Sequence, residues 1–160
     1  MLLPSTGSAT IEGRKFSLDS GVAGYDYTHG MLNRHTTWRW AFALGRTKEG
    51  IPIAFNVVQG YVGEPECAVW IGNELVGVGE GRFEFDRATP LSEWRIRTSD
   101  KVLDVKFAPG AMHADKKNLG LVRSDFVQPV GTYSGTIRIG DRVHELENVL
   151  GVAEDQNVVW

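Results

Sequence analysis

The densest group of residues able to do chemistry is Tyr25-Asp26-Tyr27-Thr28-His29-Gly30, followed after a short gap by Arg34-His35-Thr36-Thr37-Trp38-Arg39-Trp40. One acid, two histidines, two arginines and four aromatic rings fall in one short stretch. Partial burial of Asp26 between its tyrosines would raise its pKa and make it a proton donor near neutral pH. In an ordinary loop the same side chain caps backbone N–H groups. If residues 36–44 form a strand, Trp38, Trp40, Phe42 and Leu44 share one face, and Arg39, Ala41 and Ala43 the other. Tryptophans lining a cavity would make an aromatic box for a greasy or cationic ligand. Arg39 lining it with Asn56 from the next strand would instead make a polar pocket for an anion or a carbonyl oxygen. Large aromatics also fill ordinary β cores, so both tryptophans suit that role as well.

The remaining reactive side chains are weaker candidates. His29 and His35, even with His113 or His144, show no metal-ligand spacing, so no metal site is expected. Gly77-Val78-Gly79-Glu80-Gly81 superficially matches a phosphate loop, but Arg82 to Asp86 alternates as a strand where a helix would be required. The glycines mark a turn, and no cofactor is expected. Cys67 lies beside an apolar run and reads as a buried, inert thiol. Glu64 and Glu66 flank Pro65 and read as an exposed bend rather than an acid/base pair.

Elements that would hold these residues read almost entirely as strands. Residues 8–12 and 15–18 flank Gly13 as a hairpin, and 19–30 form a long aromatic-rich loop. Residues 36–44 and 51–59 are joined by a polar turn with a glycine at each end. Residues 68–71 and 74–78 surround Gly72-Asn73, which favours a tight hairpin. Further strands are expected at 82–86, 94–98, 101–107, 119–127, 132–139 and 142–146. Residues 108–118 read as a loop or short helix, and the last fourteen residues as one helical turn at most. The expectation is one all-β domain over 1–160, an antiparallel barrel of about ten short strands with little helix.

Composition agrees. Nineteen glycines in 160 residues exceed the roughly 7% of average proteins and signal many turns. A formal net charge of -3 leaves no positive field for nucleic acid or an anionic membrane. A single cysteine forms no internal disulfide and fits a reducing, cytoplasmic setting. No stretch approaches the ~18 apolar residues of a spanning helix, and Met1-Leu2-Leu3-Pro4 is too short for a signal core.

A succession of residues carries a family resemblance. It runs from Asp26 through Trp38-Arg39-Trp40, Asn56, Glu66 and Trp70, then Phe83-Glu84-Phe85-Asp86-Arg87, Trp94-Arg95-Ile96-Arg97-Thr98 and Phe107-Ala108-Pro109. It continues through Asn118, Ser124, Gln128, Tyr133-Ser134-Gly135, Gly151, Glu154 and Trp160. In order and spacing this resembles the carboxy-terminal half of the bacterial domain-of-unknown-function family DUF 2804. That family is similar in outline to lipocalin-like carotenoid hydratases of the hydroxyneurosporene synthase type and to AttH-like proteins. The resemblance implies a calycin-type, lipocalin-like barrel. It also implies a sister barrel in the family, so a homodimer or a second barrel domain is the expected partner. Two positions depart from the pattern: Tyr27 stands where tryptophan is expected, and Asp155 where histidine is.

Three functions follow as expectations. The first is binding of a small hydrophobic ligand in the barrel, with Tyr25, Tyr27, His29, Trp38, Arg39, Trp40 and Asn56 as contacts. The second is hydratase, cyclase or isomerase chemistry on an unsaturated apolar substrate, with Asp26 as the catalytic acid. The third is a non-catalytic interaction module. Whether Asp26 and the Trp38/Trp40 face share one cavity discriminates among them.

Overall fold

The computed structural model describes residues 3–19 and 21–160. Residues 1, 2 and 20 lie outside it, and with them the start of the Met1-Leu2-Leu3-Pro4 segment and one position of the 19–30 loop. Among the described residues thirteen strands follow in chain order. Near the start, β1 (Leu3–Pro4) pairs with β4 (Val22–Ala23), and β2 (Ser8–Ile11) with β3 (Arg14–Ser17). The main sheet holds β5 (His35–Arg46), β6 (Pro52–Gly60), β7 (Ala68–Ile71), β8 (Glu74–Gly77), β9 (Gly81–Glu84), β10 (Trp94–Thr98), β11 (Leu103–Asn118), β12 (Arg123–Ile139) and β13 (Arg142–Val159). A single 3-10 turn, Glu64–Glu66, is the one helical element among the described residues.

Strand order in the sheet is β8-β7-β6-β5-β13-β12-β11-β10-β9, antiparallel throughout. Two meanders, β5 to β8 and β9 to β13, are therefore joined by one pairing, β5 with β13. The sheet curls until its β9 edge nears β6, where the Phe83 backbone N–H donates to Gln59 Oε1 at 3.4 Å. This is a nearly all-β, lipocalin-like half-barrel.

Apolar residues that alternate along each strand fill the inside of the curl. Trp94, Phe107, Tyr133 and Phe55 are fully buried there. Phe85 stacks on Trp94 at 3.7 Å, and Phe55 meets Tyr133 edge-on at 5.0 Å. Burying a ring of this size contributes on the order of 2–3 kcal/mol. The Tyr133 hydroxyl donates to the Val152 carbonyl at 2.6 Å, so its polar end is satisfied in the core.

The second half of the chain differs from expectation. Residues 108–118 are the far half of β11, the runs at 119–127 and 132–139 merge into β12, and the final residues extend β13 to Val159. Three strands of 16 to 18 residues replace the expected short ones. Pro109, Gly110, Pro129 and Gly131 look like breaks in sequence. One register shift, between Pro109 and Ala111, takes up Gly110, and another falls between Tyr133 and Gly135, whereas Pro129 and Gly131 stay in register opposite Met112 and Pro109. No helix among the described residues is long and apolar enough to cross a membrane.

Candidate functional site: an acidic aromatic cavity on the outer face

Strand parity decides which face of β5 meets the core. Ala41 and Ala43 are fully buried in it. Trp38 and Trp40, one residue out of phase, stand half-buried on the outer face. The chain between β4 and β5 crosses this face, and Gly24 lets it lie flat. A Cβ at Gly24 would fall 2.6 Å from both Leu44 Cδ2 and Phe42 Cζ. Asp26, Thr28 and Leu32 are thereby carried over the two tryptophans.

The opposite wall follows from the end of β6. Gly60 and Tyr61 both take left-handed backbone, with φ of 77° and 58°. That is unusual for tyrosine, and it turns the Tyr61 ring onto Trp38, 5.5 Å between centroids. The 3-10 turn then delivers Glu66, and Asn56 fastens the turn to the sheet. Its Oδ1 accepts from Trp40 Nε1 at 2.7 Å, and its Nδ2 donates to the Glu66 carbonyl at 2.8 Å. From β13, Glu154 stands opposite Trp40 in register. It accepts from Trp38 Nε1 at 2.7 Å and from Gln128 Nε2 at 2.8 Å. Trp160 completes a cavity of about 300 Å³.

Its electrostatics are one-sided. Burial pushes the Glu154 carboxyl above the usual range, against the pull of its indole and amide donors, and the charges of Asp26 and Asp155 push the same way. Burial, and then the charge of Asp26, raises Glu66. Glu66 Oε2 is buried without a hydrogen-bond partner, and no lysine, arginine or histidine lines the cavity among the described residues. Carboxyl groups held in this way beside π faces can keep a proton near neutrality or stabilise positive charge.

The expected site residues divide among several places. Asp26, Trp38 and Trp40 line one cavity, and Asn56 braces it from behind. Tyr25 and Tyr27 are 79% and 67% exposed, stack on each other, and do not line it. His29, also exposed, contacts the Tyr27 hydroxyl at 3.4 Å. Arg39 lies on the inner face, bonded to Asp155 and Gln59, each at 3.2 Å, with its guanidinium over the Phe85 ring. Arg39 and Asn56 therefore do not share a face as expected, because Asn56 stands opposite Phe42 in register. Nor is Glu66 part of an exposed bend: Glu64 is exposed, whereas Glu66 turns into the cavity. The cavity itself is on the outside of the sheet, because core side chains fill the inside.

Glu154, Glu66, Tyr61 and Trp160 had no assigned role in the sequence. Three of them, Glu66, Glu154 and Trp160, were already among the residues carrying the family resemblance, and that was the available signal. Cys67 is buried, and burial pushes its thiol up, as an inert side chain requires. No group of three or more His, Cys, Asp and Glu side chains is arranged to hold a metal ion among the described residues.

Fold and site together define a lipocalin-like half-barrel with an acidic, aromatic cavity on its outer face. The family model described as Domain of unknown function (DUF2804) matches residues 1–160, and the chain belongs to that family. Searches of curated proteins and of solved structures return no match.

Proposed function

We propose that the protein binds a small, largely apolar molecule in the cavity beneath the segment joining β4 to β5. The observation that carries this reading is that Asp26 and the Trp38/Trp40 face line one cavity. Its volume of about 300 Å³ is at the lower end of the roughly 300–1,000 Å³ of small-molecule sites. That suits a one- or two-ring compound rather than a long polyene. Titration of indole fluorescence with aromatic probes tests it. Trp40→Ala should weaken binding by about 1–3 kcal/mol through lost aromatic contact, and unchanged affinity would place the ligand elsewhere.

A catalytic reading, with hydratase, cyclase or isomerase chemistry on an unsaturated substrate, is favoured by the raised carboxyls of Glu66 and Glu154. In that case Asp26→Asn, at the acid expected from the sequence, should abolish turnover and leave affinity nearly intact, since the amide keeps the shape and cannot exchange a proton as a carboxyl does. An interaction role is supported by apolar surface on the same outer face. Val130 is 44% and Leu150 69% exposed, beside Phe42, Leu44 and Val152. Such a surface suits a homodimer or a second barrel, and a monomeric mass by light scattering at high concentration would count against self-association.

A further inference from the structure

We infer that the molecule taken up by this cavity carries a cationic nitrogen: Asp26, Glu66 and Glu154, with the rings of Trp38, Trp40 and Tyr61, wall one small space that no basic side chain among the described residues enters. The inference rests on the binding reading above and adds the charge of the ligand.

Both oxygens of Glu154 are held by neutral donors, the Trp38 indole and the Gln128 amide, which orient the carboxyl without neutralising it. Glu66 Oε2 is out of water and accepts from nothing. A buried acceptor left this way is costly, and a bound N–H⁺ would satisfy it. The other face of the same strands shows what the protein does when it neutralises carboxylates itself. There Asp155 pairs with Arg39 at 3.2 Å and Arg87 at 2.6 Å, and Asp125 pairs with Arg87 and Lys116, each at 3.0 Å. Neighbouring residues of β13, Glu154 and Asp155, thus face opposite ways, and only Asp155 has a cationic partner.

The aromatic walls point to an organic cation. A metal ion would need several oxygens converging within roughly 2.6 Å of one point, and the described residues contain no such cluster. Carboxyls spread around a ring-walled space instead suit an ammonium group, whose charge is attracted to π faces and whose N–H bonds reach separate acceptors.

Three probes sharing one ring separate this inference from the reading beneath it: phenethylammonium, 2-phenylethanol and 3-phenylpropanoate. Binding is read by calorimetry and by the indole N–H resonances of Trp38 and Trp40. The ammonium should bind at least about tenfold more tightly than the alcohol, and the carboxylate should not bind measurably. Glu66→Gln should shrink the ammonium-to-alcohol ratio. Asp26→Asn, at an exposed position, should shrink it too. An alcohol that binds as well as the ammonium, or a ratio unchanged in both variants, would overturn the cationic assignment while leaving the site in place. If none of the three probes moves the Trp38 and Trp40 resonances, the site reading falls and this inference with it.

Discussion

Trp94 and Trp40 are both strand tryptophans with a satisfied indole N–H, yet they do different jobs. Trp94 is fully buried, stacked on Phe85 at 3.7 Å, edge-on to Phe107 at 6.4 Å, and donates to the Pro90 carbonyl. Trp40 is half-buried, stacks on Phe42 at 5.8 Å, and donates to Asn56, the side chain that also anchors the Glu66 turn. In the core the ring is enclosed on every side by its own chain. On the outer face part of it is left open to a cavity, and its hydrogen bond ties together two walls of that cavity.

The comparison is tested first at the two rings. Trp94→Ala should cost about 3–5 kcal/mol in urea unfolding, the usual range for a large aromatic removed from a packed core. Trp40→Ala should cost clearly less and leave the far-ultraviolet spectrum unchanged. Equal losses would break the distinction between a packing and a site tryptophan.

A second test contrasts neighbours on β13. Asp155→Ala leaves Arg39 and Arg87 without their shared acceptor and should cost about 1.5–3 kcal/mol. Glu154→Gln keeps an acceptor for the Trp38 indole and should cost less. A larger loss at Glu154 would mean that the outer face, not the inner one, secures this strand.

The smallest effect concerns pH. Both Glu66 and Glu154 have folded-state pKa values raised by burial, so the folded chain holds more protons than the unfolded one just above the ordinary glutamate value of about 4.3. Their stabilising contribution is fully present below that value and is lost as pH rises through the higher folded-state values. The parent should therefore lose some stability over that interval relative to Glu66→Gln. A parent and variant whose melting temperatures track in parallel would show that Glu66 does not titrate abnormally.

Legibility in the sequence was uneven for physical reasons. The strand at Trp94–Thr98 and the hairpin about Gly72-Asn73 were readable because strict alternation and a positive-φ turn are local properties. β11 to β13 were not, since Pro109, Gly110 and Gly135 mark bulges when a partner strand is present and breaks when it is absent. Trp38 and Trp40 were correctly set on one face, but the face of Asn56 depends on the register across the turn between β5 and β6, which residue types do not show. In the sequence Pro65 signals a bend and gives Glu66 the look of an exposed residue. The bend exposes Glu64 and turns Glu66 the other way.

The single pairing of β5 with β13 also orders events in time. Trp38 and Glu154 are 116 positions apart, whereas every other pairing in the main sheet joins strands consecutive in the chain. As the polypeptide emerges from a ribosome, each meander can grow hairpin by hairpin through local contacts, which form early. The cavity has no such head start. It comes into being only when β13 docks between β5 and β12, so a nascent or truncated chain ending before Glu154 would display its strands and have no pocket, and ligand uptake would report the finished molecule.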